Sequence, residues 1–324
     1  MMKRHLRFGT MGLIPICCLV LLVGHLSAAP QYPAKPVTLI IPNPPGGDAS
    51  NENNVLVGTV KNIIKQDVVM VNKGGGGGVI AAAEVAMAKP DGYTLLAAEA
   101  GPMVLGPLLE KVPYSMDSFE PICQTTMRFF VLAVQKDAKW KTLKDLISDA
   151  GQNPGKIRYA CTSGGVADVS VQRLAAVAKV KFKKVPFAGG AESRAAILGG
   201  HVELANLPAP STVPLMKAGK VRVLAIFAPE RAPQLPETPT VKEQGYDVDD
   251  YQFSGWVAPK GTPKAILSFL EKSVEKAASD PGYQERMKKI NAIPRFQSGD
   301  KFKALYERDY KKYKDLFDKV GYDK

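Results

Sequence analysis

From Val37 to Ala97 the chain alternates short apolar runs with helical stretches, and this alternation narrows the available folds most. A buried strand starts at Val37 and stops at Pro42-Asn43-Pro44-Pro45, which opens into Gly46-Gly47. Residues 55–65 carry apolar positions at helical spacing (Leu56, Val60, Ile63, Ile64), and 67–71 read as a second strand. A five-glycine loop ends at Gly78, Ala-rich residues 79–88 favour helix, and 93–97 form a third strand after the turn Pro90-Asp91-Gly92. Strand, helix, strand, helix, strand in sequence predicts parallel pairing with helices covering the sheet. In such folds a bare-backbone loop at a strand end is where a ligand sits.

The pattern recurs downstream. Strands are expected at 129–134, 157–161, 183–186, 202–205 and 221–227, with helices at 143–150, 169–178, 192–198 and 214–218 between them. A Pro-rich crossing follows (Pro229, Pro233, Pro236, Pro239), then a strand at 255–258 and helices at 263–278, 282–290 and 301–319. The chain leaves the first α/β unit near Arg128 and returns near Pro229. This wiring predicts lobe 1 from 30–128 plus 229–324, lobe 2 from 129–228, two hinge crossings and a ligand cleft between the lobes.

Ahead of this body, residues 1–29 read as an export signal. Lys3, Arg4 and Arg7 precede an apolar run from Met11 to Leu26, and Ser27-Ala28-Ala29 supplies a cleavage site near Ala28/Ala29. Periplasmic localisation is the corresponding expectation. Of the formal charge of +12, loss of those three cations leaves +9, spread over solvated faces such as Lys181-Phe182-Lys183-Lys184. With no zinc module or aromatic RNA-binding motif, no nucleic-acid partner is expected. His201 is the one histidine outside the signal, too few for a His-based triad or a multi-His metal site. Cys123 and Cys161 either pair in an oxidising compartment or remain as two buried thiols.

A series of short motifs across nearly all of the remaining chain points to a family. They include Pro42-Asn43-Pro44-Pro45-Gly46-Gly47, Pro90-Asp91-Gly92-Tyr93-Thr94-Leu95, Val112-Pro113-Tyr114, Pro154-Gly155-Lys156-Ile157 and Val185-Pro186-Phe187. Lys217-Ala218-Gly219-Lys220-Val221-Arg222, Leu235-Pro236-Glu237-Thr238-Pro239 and Ala258-Pro259-Lys260-Gly261-Thr262-Pro263 continue the series in order. The chain resembles the Bug-type extracytoplasmic solute receptors of tripartite tricarboxylate transporters. The resemblance implies an α/β type II periplasmic-binding fold and a small carboxylate-bearing ligand held by backbone N–H groups and hydroxyls. It also implies a permease partner in the membrane, a monomer, no cofactor, no metal and no catalysis. The alternatives are a receptor feeding a signalling partner and a secreted enzyme on the same scaffold.

The ligand-binding residues expected on this basis are Asn43, Pro45, Gly46, Gly47, Asp48, Gly76, Glu99, Ala100, Thr162, Ser163, Gly164, Asp168, Phe187, Gly189 and Glu192. Trp256 and Phe253 either wall the cleft or pack in the core. Several positions depart from the family pattern. Ser50 and Asn54 stand where it has Asp and Arg, Ala97-Ala98-Glu99-Ala100 replaces Gly-Thr-Ser-Gly, and Glu192 replaces a proline. Cleft hydroxyls and positive groups are thereby lost, while Asp48, Glu99 and Asp168 bring carboxylates that would repel an anion. Either the ligand carries a positive group or a bridging metal, or these carboxylates cap helices or face solvent.

Overall fold

The structure, a computed structural model, describes Met1 and residues 32–320, with side chains to 318. The export-signal expectation, apart from Met1, lies outside the described residues. Along the first half run β1 (Val37–Ile41), α1 (Asp48–Ile64), β2 (Val68–Asn72), α2 (Val79–Ala86), β3 (Thr94–Glu99), α3 (Gly106–Leu109), β4 (Phe119–Gln135), α4 (Leu143–Gln152) and β5 (Arg158–Thr162). There follow α5 (Val166–Ala178), β6 (Lys183–Phe187), α6 (Gly190–Leu198), β7 (Leu204–Pro208), α7 (Ala209–Lys217), β8 (Val221–Phe227), β9 (Tyr251–Pro259), α8 (Lys264–Ala278), α9 (Pro281–Lys289), β10 (Ile293–Ser298) and α10 (Gly299–Val320).

The main path of the sheet is β2-β1-β3-β9-β4-β7-β5-β6, with β8 and β10 also pairing β4. The expected parallel units are present at both ends: β2, β1 and β3 run parallel, and so do β7, β5 and β6. Antiparallel β9 and β4 join them. Strand β4 is the long link. It pairs β9 as far as Phe129, and β7 and β8 from Phe130 onward.

Successive strand residues serve opposite faces, which explains the unbroken apolar runs. Leu39, Ile41, Leu95 and Ala97 pack with Leu56, Val60 and Ile64 of α1 in one cluster. Ile40, Leu96 and Ala98 pack with Ala81, Ala82 and Val85 of α2 in another. At the other end Val131, Ala133, Ala160 and Ala205 share a cluster with Ile197 of α6 and Val213 of α7. Trp256 and Phe253 are fully buried core residues: the Trp256 Nε1 donates to Asn53 Oδ1 at 2.9 Å, and Phe253 meets Phe302 edge-on. Cys123 and Cys161 are buried free thiols, so the pairing alternative falls away.

Three local expectations need correction. Helix α1 begins at Asp48, not residue 55. Its first turns bury Ser50, Glu52 and Asn53 through polar contacts, so they show no apolar periodicity. Strand β4 begins at Phe119, ten residues early, because Gln124, Thr125 and Thr126 are buried polar residues bonded to strand carbonyls and to Glu52 of α1. Strand β10 was not expected; it contains Pro294 and little apolar character, and pairs β4 across a register shift.

Candidate ligand-binding site

A cavity of about 180 Å³ lies at the C-terminal ends of β1, β3, β5, β6 and β7. That is the position where open α/β sheets bind ligands. Its walls come from both ends of the sheet. The first supplies the turn around Pro44, the glycine loop (Gly75, Gly77, Gly78), Glu99, Gly101 and Pro102; the second supplies Thr162, residues 165–167, residues 188–193, Asn206 and Pro208. Arg128, Phe130 and Gln252, from β4 and β9, complete the lining.

Among the helices that begin at this cavity are α1, α5 and α6. Gly47, Gly165 and Gly189 are the N-caps of α1, α5 and α6, and none provides a side-chain cap. Each helix therefore starts with backbone N–H groups that no capping side chain occupies, and the partial positive charge of its terminus faces the same space. Such convergence favours an anionic group.

The walls also touch. A Cβ added at Gly77, whose φ is +60°, would lie 3.2 Å from the Ser163 carbonyl oxygen. One added at Gly189 would lie 3.4 Å from Pro44 Cδ. Asp48 spans the two sides directly: its Oδ2 accepts from Ser211 Oγ at 2.9 Å and from Arg194 Nη1 at 3.4 Å.

Beneath the cavity one guanidinium lies between two carboxylates. Arg128 donates from Nε and Nη2 to Glu52, at 3.0 and 2.6 Å, and from Nη1 to Glu99 Oε1 at 3.0 Å. Thr126 Oγ1 donates to Glu52 at 2.9 Å and Asn43 Nδ2 donates to Glu99 Oε2 at 2.7 Å. All three charged residues are 4% exposed or less. Burial pushes the Glu52 carboxyl above the ordinary carboxylate range, against the opposing pull of Arg128. For Arg128 burial favours the neutral form, but Glu52 and Glu99 outweigh it and raise its affinity for the proton.

Of the residues expected at the site, Asn43, Pro45, Gly47, Asp48, Glu99, Thr162, Gly189 and Glu192 line the cavity. Gly46, Gly76, Ala100, Ser163 and Gly164 are in the same loops but outside the lining; their neighbours take the wall. Phe187 packs against the hydrophobic cluster of α6 and α7. Asp168 does not reach the cavity. It is fully buried, accepting from Tyr159 Oη at 2.7 Å and pairing Lys184 Nζ at 3.4 Å. Sequence reasoning missed Arg128, Ser193, Asn206 and Gln252. It also treated the site's positive groups as lost, whereas β4 supplies Arg128. For one of the missed residues a signal existed: Asn206 is the single polar residue in the apolar strand Leu204–Pro208.

Of the three carboxylates, then, Asp48 bridges the walls, Glu99 is matched by Arg128, and Asp168 is structural. Tyr159→Phe, which removes one of the hydrogen bonds to the buried Asp168 carboxylate, is expected to cost about 1.5–3 kcal/mol of stability. In urea titration the midpoint falls with an unchanged slope, while ligand affinity stays put. Among the described residues there is no group of three or more His, Cys, Asp or Glu able to hold a metal, and no helix long and apolar enough to cross a membrane.

The family model described as tripartite tricarboxylate transporter family receptor matches residues 54–322. A Cupriavidus necator protein, named for its place in the gbd 5′ region, is 32% identical over 295 residues, covering 90% of each chain. The structure of the periplasmic binding protein BugD superposes with a TM-score of 0.84 at 31% identity, covering 90% of this chain and 99% of that one. MatC of Rhodopseudomonas palustris with bound malate gives 0.83 at 27% identity, covering 88% and 99%. The architecture is thus the mixed α/β fold of two-lobed periplasmic binding proteins.

Proposed function

From the premise that this chain belongs to the tripartite tricarboxylate transporter receptor family, we propose that it captures a small carboxylate-bearing solute in the periplasm and delivers it to membrane permease subunits. The observation that carries the ligand class is the convergence of α1, α5 and α6 on one cavity with uncapped glycine starts. Three helix termini can hold a carboxylate through backbone N–H groups without a dedicated cation. MatC, a relative of the same fold, holds malate.

Capture works by closure of two lobes joined by an outward and a return crossing. The exchange of β4 partners at Phe129 and Phe130 supports the outward crossing there. Residues 239–241 still hydrogen-bond Ile226 of β8, so the return crossing is best drawn just before β9. Closure brings Asp48 to Arg194 and Ser211, and Pro44 to Gly189. This reading makes the protein a monomeric binding protein with no catalytic residue: its machinery is backbone, and the exposed His201 has no part in it.

The test is to purify the exported protein under native conditions and identify what it retains by mass spectrometry, then titrate a panel of mono-, di- and tricarboxylates by calorimetry. One small carboxylate per chain is the expected stoichiometry. A retained ligand lacking a carboxylate, or no binding anywhere in the panel, would overturn the proposal.

A further inference from the structure

Resting on that receptor reading, we infer that the ligand is an amino carboxylate: one carboxylate, plus a protonated amine whose N–H groups face Asn206 and Ser193. Two observations independent of the helix starts lead there.

The first is a pair of unfilled polar atoms. Asn206 Oδ1 and Ser193 Oγ have no hydrogen-bond partner, although their residues are 2% and 1% exposed and both line the cavity. A buried polar atom without a partner carries a desolvation cost that a ligand can relieve. The orientation of the Asn206 amide follows from its other end, where Nδ2 donates to the Ala167 carbonyl at 2.8 Å. Its oxygen is therefore the atom left open, and an oxygen of this kind only accepts. Whatever ligand group meets it must donate; a second carboxylate, ionised, cannot.

The second is the charge account of the lining. Arg128 is the one cationic side chain in the wall, and it is already held between Glu52 and Glu99. Arg194, just behind, is paired to Asp48. No guanidinium is left to receive a second anionic group. The helix termini are also partly matched, since Asp48, Asp168 and Glu192 lie in the first turns of α1, α5 and α6. Glu192, whose Oε2 accepts from the Ala188 N–H at 3.0 Å, adds a negative rim. One ligand carboxylate at the helix starts is consistent with this balance. A cationic donor at the far end meets both the open acceptor and the surplus of carboxylates in the wall.

Donor and charge can be separated with four probes of similar length. 4-Aminobutyrate carries both, its N,N,N-trimethyl derivative keeps the charge without N–H, malate keeps a donor without the cation, and succinate has neither. By calorimetry on the full exported chain, 4-aminobutyrate is expected to bind at least about tenfold more tightly than each of the other three. Asn206→Leu is expected to bring 4-aminobutyrate and its trimethyl derivative to within about threefold of each other while the chain still melts cooperatively. Succinate or malate binding as tightly as 4-aminobutyrate would overturn the inference and leave the receptor reading intact. A tenfold preference for 4-aminobutyrate over its trimethyl derivative that persists in Asn206→Leu would overturn the assigned contact. Binding of none of the four, with none of the wider carboxylate panel, would remove the receptor reading and this inference together.

Discussion

Replacing Arg128 by methionine is expected to lower the unfolding free energy by about 3–5 kcal/mol, the usual cost of leaving a buried charge without its partner. In a chain of this size that corresponds to a fall in melting temperature on the order of 10 °C. The guanidinium lies between Glu52 and Glu99, and both carboxylates stay buried when it goes. The loss should also depend on pH in a definite direction. Glu52 binds its proton more tightly in the folded protein than in the unfolded chain, because burial outweighs Arg128. A group of this kind contributes stability that is complete below its unfolded value, about 4.3, and is lost as pH rises through the raised folded value. Removing Arg128 removes the contributions that lower that value, so the variant should come closest to wild type near pH 4 and fall away towards neutrality. Glu52→Gln combined with Arg128→Met should recover part of the deficit. A melting temperature within about 2 °C of wild type at pH 7 would show that the triad is not the buried charge cluster described.

Gly189→Val should separate closure from folding. Gly189 has φ −176° and ψ 177°, an extended conformation that a β-branched residue adopts without strain. Its Cβ position is already in contact with the Pro44 ring across the cavity, at 3.4 Å. A side chain branched at that Cβ crowds the ring in the closed form and meets solvent in an open one. An overlap of about 1–3 kcal/mol, applied to the closed state alone, lowers ligand affinity roughly ten- to a hundredfold. The melting temperature without ligand should stay near that of wild type, and small-angle scattering should no longer show compaction on adding ligand. Unchanged affinity would mean that Pro44 and Gly189 do not meet in the ligand-bound form.

Much of the architecture was legible because it rests on periodic apolar residues. The strand of Leu39, Ile40 and Ile41 and the helix of Leu56, Val60 and Ile64 announce themselves by spacing, and the parallel sheet follows. What escaped notice was polar. The first turns of α1 bury Ser50, Glu52 and Asn53, and β4 buries Gln124, Thr125, Thr126 and Arg128. A polar residue is buried only where a partner awaits it, and those partners lie far away in the chain: Trp256 for Asn53, Arg128 for Glu52.

The loops at the strand ends were also legible, since Pro44-Pro45-Gly46-Gly47 and the glycine run are local features whose backbone freedom can be read in place. The wall within each loop was not. Thr162 and Gly165 line the cavity while Ser163 and Gly164 between them do not, because a turn shows only some of its residues to one side.

By itself, the sequence determined the α/β class, the family and the loops that carry the site, all of which depend on neighbours in the chain. Only the tertiary structure decided the chemistry of the cavity. The carboxylates of Asp48, Glu99 and Asp168 look alike in sequence, yet one bridges the walls, one is matched by Arg128 and one is sealed behind Tyr159. The effect of a charge is set by what lies within a few ångströms of it and by how much water remains, and residues separated by up to 163 positions supply both.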